Sequence, residues 1–142
     1  LCLNLAKQIV VDGEGAKKFI TINVIGARSQ SMARSVGFSI ANSPLFKTAM
    51  AAGDPNWGRI IMACGKSGEN IIANKIKLKI GDFLIAEGGK VAKDYNEKDV
   101  KEYMKWSSIN IEVNLNIGSA AYKVYTCDFT HDYIDINADY RN

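Results

Sequence analysis

The sequence predicts an α+β domain in which helices cover one face of a mixed β-sheet. Three observations lead to this fold class. Several segments alternate apolar and polar residues as half-buried strands do, others repeat apolar residues at helical spacing, and short turns join neighbouring strands into hairpins. Strands separated by helices, with several antiparallel hairpins among them, favour a layered α+β domain, and their order excludes a doubly wound fold.

Length and composition indicate one globular domain, residues 1–142. The 142 residues are 47% hydrophobic with two prolines, which excludes a disordered or collagen-like chain. No uninterrupted apolar run approaches the roughly 18 residues of a membrane span, so no membrane partner is expected. The net charge of +3 is far below the basic excess typical of nucleic-acid-binding domains, so no nucleic-acid partner is expected either.

The three cysteines, Cys2, Cys64 and Cys127, are odd in number and widely spaced. Cys64 and Cys127 lie in apolar segments with the composition of strands. They are therefore predicted to be reduced core residues rather than a disulfide framework, and a reducing cytoplasm is the expected location.

The first element is predicted to be the last turns of a helix. Leu1, Leu5 and Ile9 recur every four residues, and the pattern stops at the Asp-Gly-Glu-Gly segment 12–15. The chain starts without an initiator methionine or a signal-peptide pattern, so we expect that sequence precedes it in the native protein.

A strand and two helices are predicted next. The strand has inward positions Ile20, Ile22 and Val24, and Gly26 closes it. Ser29 or Ser31 can cap the first helix, and Ser43 with Pro44 can end it and start the second. The expected apolar positions of the two helices are Met32, Val36 and Ile40, and then Leu45 and Ala49, with Gly53 as the stop.

The centre of the chain is predicted to be a loop, a strand and a turn. Residues 54–59 lack any period and contain a proline, a glycine and a tryptophan, which indicates an ordered loop. The apolar run 60–64 is predicted to be a short strand, and residues 65–68 a turn.

Four strands and one helix are predicted in the second half. An alternating strand at 75–80 pairs with 83–85 as a hairpin, and Asn96 caps a short helix carrying Val100, Tyr103 and Met104. The longest strand covers 109–117 and has one polar face. A strand at 122–127 follows, and a final apolar segment at 133–136 is expected to present Asn137 at a strand end.

Two short motifs have ordinary structural interpretations. Gly65-Lys66-Ser67 resembles part of a phosphate-binding loop, but that loop needs a glycine where Ile60 stands, so a plain turn is favoured. Cys127 and His131 have ligand-like spacing, yet zinc needs three or four protein ligands and His131 is the only histidine. A buried thiol beside a loop histidine is the favoured interpretation, and no serine or cysteine has the surroundings of a nucleophile.

Two loops remain open to two interpretations each. The glycines of segment 12–15 allow a ligand to approach the carboxylate of Glu14 closely or, as favoured from spacing alone, the segment is a solvated turn. Residues 54–59 form either a site or, as favoured, a structural loop anchored by Trp57 with Arg59 in an ion pair. Taken alone, the residues indicate a soluble α+β domain and no specific activity.

Four segments resemble one known family. They are residues 9–19 (IVVDGEGAKKF), 40–45 (IANSPL), 54–59 (DPNWGR), and the end of the chain from Thr126-Cys127-Asp128 to 137–141 (NADYR). Together they resemble the ornithine acetyltransferase family, in the same order and over essentially the whole chain. Members of that family are glutamate N-acetyltransferases of arginine biosynthesis and are often bifunctional.

The resemblance implies a self-cleaving acetyltransferase. In the family, cleavage before a threonine frees the nucleophile that takes the acetyl group from N-acetylornithine and passes it to glutamate. That motif lies upstream of segment 12–15, so this chain resembles the carboxy-terminal part of the β chain and contains no catalytic residue itself. The implied partners are the α chain and the rest of the β chain, in a layered α/β/β/α fold and a heterotetramer or larger assembly.

The resemblance also implies ligands and site residues. No cofactor or metal is expected, and acetyl-CoA can be a donor in bifunctional members. The family's substrate-contacting glutamate corresponds to Glu14 and its asparagine to Asn137, while its final threonine is replaced by Asn142. The alternatives are a non-catalytic amino-acid-binding or assembly module of the same fold, and a related amino-terminal nucleophile hydrolase.

Overall fold

The computed structural model describes residues 1–12 and 15–138, excepting the side chains of Val11, Tyr133, Ile134 and Asn137. The α-helices within these residues are α1 (Cys2–Val11), α2 (Gln30–Ala41), α3 (Pro44–Ala52), α4 (Trp57–Gly65), α5 (Glu97–Tyr103) and α6 (His131–Ala138), and a short 3-10 helix covers Ala73–Lys75. The strands are β1 (Phe19–Ala27), β2 (Lys77–Ile80), β3 (Phe83–Glu87), β4 (Lys90–Val91), β5 (Ser108–Asn114) and β6 (Ala120–Cys127). None of the described helices combines the length and apolar composition needed to cross a bilayer.

The described strands form one mixed sheet in the order β4-β3-β2-β5-β1-β6. β1 pairs with β5 in parallel and with β6 antiparallel, and the remaining pairs are antiparallel. Ile22 stands between Ile111 of β5 and Val124 of β6, so the alternating apolar residues of the three strands share one face. The predicted α+β class and the predicted hairpin at β2 and β3 are confirmed.

One face of the sheet carries the core, and α2 packs directly on it. A Cβ added to Gly37 of α2 would lie 2.7 Å from Val124 Cγ2 and 3.5 Å from Val24 Cγ2, so the helix backbone closely approaches the strands. The same buried cluster also receives side chains from α3, α4 and α5, namely Phe46, Ala49, Met50, Ile60, Ala63, Cys64 and Val100. Helices α2 to α5 therefore cover the apolar face, and three of them, α2, α3 and α5, were expected from the sequence.

The opposite face is more polar and has an aromatic contact at one end. Phe19 is out of phase with the apolar positions of β1, and its ring stacks on Tyr125 with centroids 5.5 Å apart. Lys7 of α1 lies 5.5 Å from the Phe19 centroid. Helix α1 therefore reaches the sheet on the side away from α2.

The predicted caps of α2 and α3 are confirmed. Ser29 Oγ accepts a hydrogen bond from Met32 N, and Ser43 Oγ accepts one from Phe46 N with Pro44 in the first turn. Gly53 ends α3 with φ 66°, a left-handed conformation that glycine adopts without a Cβ clash. One inward position is wrong: Leu45 is 45% exposed, and Phe46 with Met50 faces the core.

The strand predicted at 60–64 is wrong, because these residues belong to α4. Asn56 Oδ1 accepts from Arg59 N and caps the helix, so Trp57 and Arg59 are helical rather than part of the predicted loop. Cys64 is a buried helical residue, whereas Cys127 ends β6 as expected but is half-buried rather than part of the core. Cys2, Cys64 and Cys127 are all free thiols.

Three further boundaries differ from the prediction. The last segment is helix α6, so Asn137 lies on a helix and not at a strand end. β5 ends at Asn114, although Leu115 beyond it is still buried. The two-residue strand β4 was not predicted, because Lys90 and Val91 are too short a run to show a period.

Candidate functional site

Of the three predicted site residues, only Asn137 lies within the described part of the chain, and only its backbone is described. It is the seventh residue of α6, roughly 9 Å along the helix axis from the first at about 1.5 Å per residue. Glu14 and Asn142 lie outside the described residues. The described residues beside these positions are 15–18, which follow Glu14, and 128–132, which lead into the helix of Asn137.

Asp128 joins the two ends of the chain. Its Oδ1 accepts hydrogen bonds from Lys17 N at 2.9 Å and Lys18 N at 3.0 Å, across 111 and 110 positions of sequence. The residue is only 3% exposed. A carboxylate that accepts from two consecutive backbone N–H groups makes strong, charge-assisted bonds.

Two further contacts bind the same segments. Thr130 Oγ1 donates to the carbonyl oxygen of Gly15 at 2.5 Å. Lys17 Nζ and Asp132 Oδ2 form an ion pair of 3.3 Å, which contributes little because both side chains are largely exposed. We call these contacts between residues 15–18 and 128–132 the junction.

Lys18 connects the junction to the carboxyl end of α3. Its Nζ donates to the carbonyl oxygen of Met50 at 2.6 Å. A cation is stabilised there because the carbonyl groups of the last helical turn carry partial negative charge. Burial lowers the pKa of Lys18 below its ordinary value, and the nearby Asp128 carboxylate opposes part of that shift.

Helix α3 also supports the other side of the junction. Phe129 N donates to the carbonyl oxygen of Lys47 at 3.1 Å. Lys47 Nζ lies 4.1 Å from the centroid of the Phe129 ring, within range of a cation–π interaction. The start of β1, the end of β6, α3 and α6 thus meet at one place.

The junction brings the residue after Glu14 next to the residue before α6. Gly15, which follows Glu14 directly, contacts Thr130, which directly precedes α6. Gly15 and the start of the helix that carries Asn137 are therefore neighbours in space. A carboxylate and a carboxamide on such neighbouring segments can bind the ammonium and the carboxylate of an amino acid.

Sequence reasoning gave Asp128, Thr130 and Lys18 no role. Each is an ordinary polar residue in a segment whose partner lies more than a hundred positions away. The available signal was local: Asp128 and Thr130 directly follow an apolar strand and precede a polar segment, which is typical of a loop at a sheet end.

Residues 54–59, which span a short loop and the first turn of α4, have a structural role. Arg59 Nη1 donates to the carbonyl oxygen of Leu45 at 2.8 Å and to Thr48 Oγ1 at 3.2 Å, in place of the predicted ion pair. Asn56 Nδ2 donates to Asp54 Oδ2 at 3.0 Å, and Trp57 packs against the core as expected of an anchor. These contacts fix α3 against α4.

The turn at 65–68 also has a structural role. Gly65 ends α4. Ser67 Oγ then donates to the carbonyl oxygen of Cys64 at 2.6 Å, which uses the hydroxyl within the turn itself. The favoured interpretation of a plain turn therefore agrees with the structure.

Metal binding finds no support in the described part of the chain. Within residues 1–12 and 15–138, no three or more His, Cys, Asp or Glu side chains are grouped to hold a metal ion. Cys127 ends β6, and His131 begins α6 with an exposed side chain.

Comparison with known proteins identifies similar chains. The family model described as the ArgJ family matches residues 1–142. The arginine biosynthesis bifunctional protein ArgJ of Ruegeria pomeroyi is 51% identical over 140 residues, covering 99% of this chain and 34% of the relative. The protein of the same name from Zymomonas mobilis is 47% identical over 142 residues, covering 100% and 35%.

A solved structure has the same fold. The crystal structure of arginine biosynthesis bifunctional protein ArgJ from Bacillus halodurans superposes with a TM-score of 0.93 at 41% identity. The match covers 98% of this chain and 65% of that chain. The present chain spans about a third of the length of the curated relatives it matches.

Proposed function

The chain belongs to the ArgJ family, and from this premise we propose that it forms part of an acetyltransferase of arginine biosynthesis. The reaction moves an acetyl group from N-acetylornithine to glutamate, which releases ornithine and forms N-acetylglutamate. Two observations carry the proposal. The family model matches residues 1–142 of this chain, and at the junction the residue after Glu14 contacts the residue before α6.

The proposed chemistry uses an acyl-threonine intermediate. A threonine hydroxyl attacks the acetyl carbonyl, the C–N bond breaks, and ornithine leaves with a proton on its amine. The amine of glutamate then attacks the ester carbonyl, receives the acetyl group, and returns the hydroxyl proton to threonine. Acyl transfer of this kind needs no metal or redox group, and acetyl-CoA is a further candidate donor.

This chain contributes substrate binding in the proposal. The Glu14 carboxylate pairs with a substrate ammonium group, and the Asn137 carboxamide donates to a substrate carboxylate. Asn142 takes the place of the family's threonine and can both donate and accept. The nucleophilic threonine and the oxyanion donors come from outside the chain, from the rest of the β chain and from the α chain.

The proposed assembly is a cytoplasmic heterotetramer of α and β chains in a layered α/β/β/α fold. The more polar face of the sheet is where a further layer would pack: helices α2 to α5 cover the other face, and here Thr21, Asn23 and Glu112 are half-buried while Asn110 and Lys123 are exposed. In this proposal a second sheet covers that side.

Substitution of Glu14 tests the proposal. In the assembled enzyme, Glu14→Ala should leave self-cleavage and assembly intact and weaken the handling of N-acetylornithine by about 1–3 kcal/mol, or roughly 5- to 150-fold in kcat/KM. Asp12→Ala is the matched control, because it removes an exposed carboxylate two positions earlier. Unchanged kinetic constants for Glu14→Ala would remove the assignment.

A further inference from the structure

Only one of the two carboxylate oxygens of Asp128 accepts hydrogen bonds from the described residues. Oδ1 accepts both backbone bonds, from Lys17 N and Lys18 N. Oδ2 is buried and has no hydrogen-bond partner among the described residues. Lys18 Nζ, the nearby cation, donates to Met50 O and acts on Asp128 through space.

The sheet does not need Asp128 to set its register. The β1–β6 ladder already reaches the pair Phe19 and Cys127, and Phe19 N donates to Ser107 O on the other side at 2.8 Å. Asp128 therefore holds only residues beyond the ladder. Its loss would loosen residues 17 and 18 while the strands stay paired.

The segment that Asp128 holds is the one that leads out of the proposed substrate turn. Lys17 and Lys18 are separated from Glu14 by two and three residues, and Gly15 between them is bound to Thr130. Three hydrogen bonds thus fix Gly15, Lys17 and Lys18, which lie between Glu14 and β1. A small displacement of a binding group lowers the reaction rate, because the rate depends on the geometry of the bound substrate.

We propose that Asp128 is a positioning residue, which fixes the segment carrying Glu14 relative to the helix carrying Asn137. The inference rests on the proposed function, because Asp128 acts through Glu14 and does not touch substrate. Its role requires an acceptor oxygen at Oδ1, which an asparagine can supply and an alanine cannot.

The test compares three variants of the assembled, full-length enzyme. Asp128→Ala should raise KM for N-acetylornithine at least tenfold, with a smaller change in kcat. Asp128→Asn should restore KM to within about threefold of the parent, because its carbonyl oxygen still accepts both N–H bonds. Thr126→Val is the matched control: it removes another buried hydrogen bond of β6, from Thr126 Oγ1 to Ala41 O, which does not involve residues 15–18. It should lower the melting temperature and leave KM within twofold of the parent.

A double variant separates positioning from general stability. If Asp128 acts through Glu14, Asp128→Ala should change KM less than twofold in a Glu14→Ala background. An unchanged KM for Asp128→Ala below its melting temperature, or fully additive effects in the double variant, would overturn the positioning role. If Asp128→Ala fails to assemble, Thr130→Val replaces it, because that change removes only the contact with Gly15. A parent-like KM for Thr130→Val would then overturn the role.

The controls also separate this inference from the proposed function. If Glu14→Ala alone leaves the kinetics unchanged, the substrate assignment of Glu14 fails, and Asp128 then has no binding group to position. If Glu14→Ala raises KM and Asp128→Ala does not, the substrate assignment stands and only the positioning role is overturned.

Discussion

Thr130 Oγ1 donates a hydrogen bond to the carbonyl oxygen of Gly15 at 2.5 Å, although 115 positions separate the two residues in the sequence. Together with the bonds from Lys17 N and Lys18 N to Asp128, it joins the first turn of the chain to the start of the last helix.

Loss of the Thr130 hydroxyl should open the junction locally. Thr130→Val is expected to destabilise the protein by about 1 kcal/mol, because the carbonyl oxygen of Gly15 loses its donor. Hydrogen exchange should accelerate at the amides of Lys17 and Lys18 while that of Ile22, in the centre of β1, stays protected. Thr130→Ser keeps a hydroxyl and serves as the control. Equal acceleration at Ile22 would mean that the contact stabilises the whole sheet instead.

Gly37 should not tolerate alanine, although alanine is the better helix former. The helix propensity gain is about 1 kcal/mol. A Cβ at this position would stand 2.7 Å from Val124 Cγ2, and overpacking of this kind costs about 1–3 kcal/mol. Urea unfolding should therefore show Gly37→Ala to be destabilising.

Two comparisons test the cause of the Gly37 effect. Gly65 ends α4, and a Cβ added there meets nothing within 4 Å, so Gly65→Ala should be neutral or stabilising. The double variant Gly37→Ala with Val124→Ala should be more stable than the sum of the two single changes predicts. Additive effects would show that contact with Val124 is not the cause.

Cys64 should make the protein less stable in alkali. Burial raises the pKa of its thiol from 9.0 to about 12. Because the folded pKa lies above the unfolded one, the stabilisation is complete below pH 9 and is lost as the pH rises toward 12, by up to about 1.4 kcal/mol per pH unit. Cys64→Ala should therefore show a shallower loss of unfolding free energy between pH 9 and 11. Parallel pH profiles for parent and variant would contradict the assignment.

The end of the chain should influence substrate affinity. Asn142→Thr restores the family's residue and is expected to change KM for N-acetylornithine or glutamate. Deletion of residues 139–142 is the harsher test and should lower both turnover and affinity. Steady-state kinetics on the assembled enzyme decide between the outcomes. If the truncated enzyme matches the intact one, the placement of Asn142 is wrong and that of Glu14 is unaffected.

Local sequence patterns predicted most elements. They failed where a segment is apolar on every side, because such a segment shows neither the helical nor the strand spacing of apolar residues. In α4 the run 60–64 is apolar throughout, so it has the appearance of a buried strand. Its helical signal was Asn56, three positions before Arg59, whose N–H it caps. In α3, Leu45 and Phe46 are adjacent and both apolar, and only the packing of the helix decides that Phe46 points inward.

The site was predictable in part for a different reason. Glu14, Asn137 and Asn142 came from a resemblance between segments, and they stay predictions. The junction could not be predicted, because a hydrogen bond between Asp128 and residues 17 and 18 leaves no local pattern in the sequence. Such contacts become visible only when the order of strands in the sheet places β6 beside β1.

The central place of β1 has a consequence for synthesis on the ribosome. Its neighbours β5 and β6 are the last strands of the sheet to be translated, about 100 residues later, which at roughly 5–20 residues per second means a wait of about 5–20 s. Helix α2 emerges directly after β1 and can cover Ile22 and Val24 from the start. The apolar face of β1 in the nascent chain is therefore covered early, but both of its backbone edges stay unpaired. The main risk during synthesis is then strand pairing between nascent chains on neighbouring ribosomes, and a chaperone that prevents this pairing matters more than one that covers apolar surface.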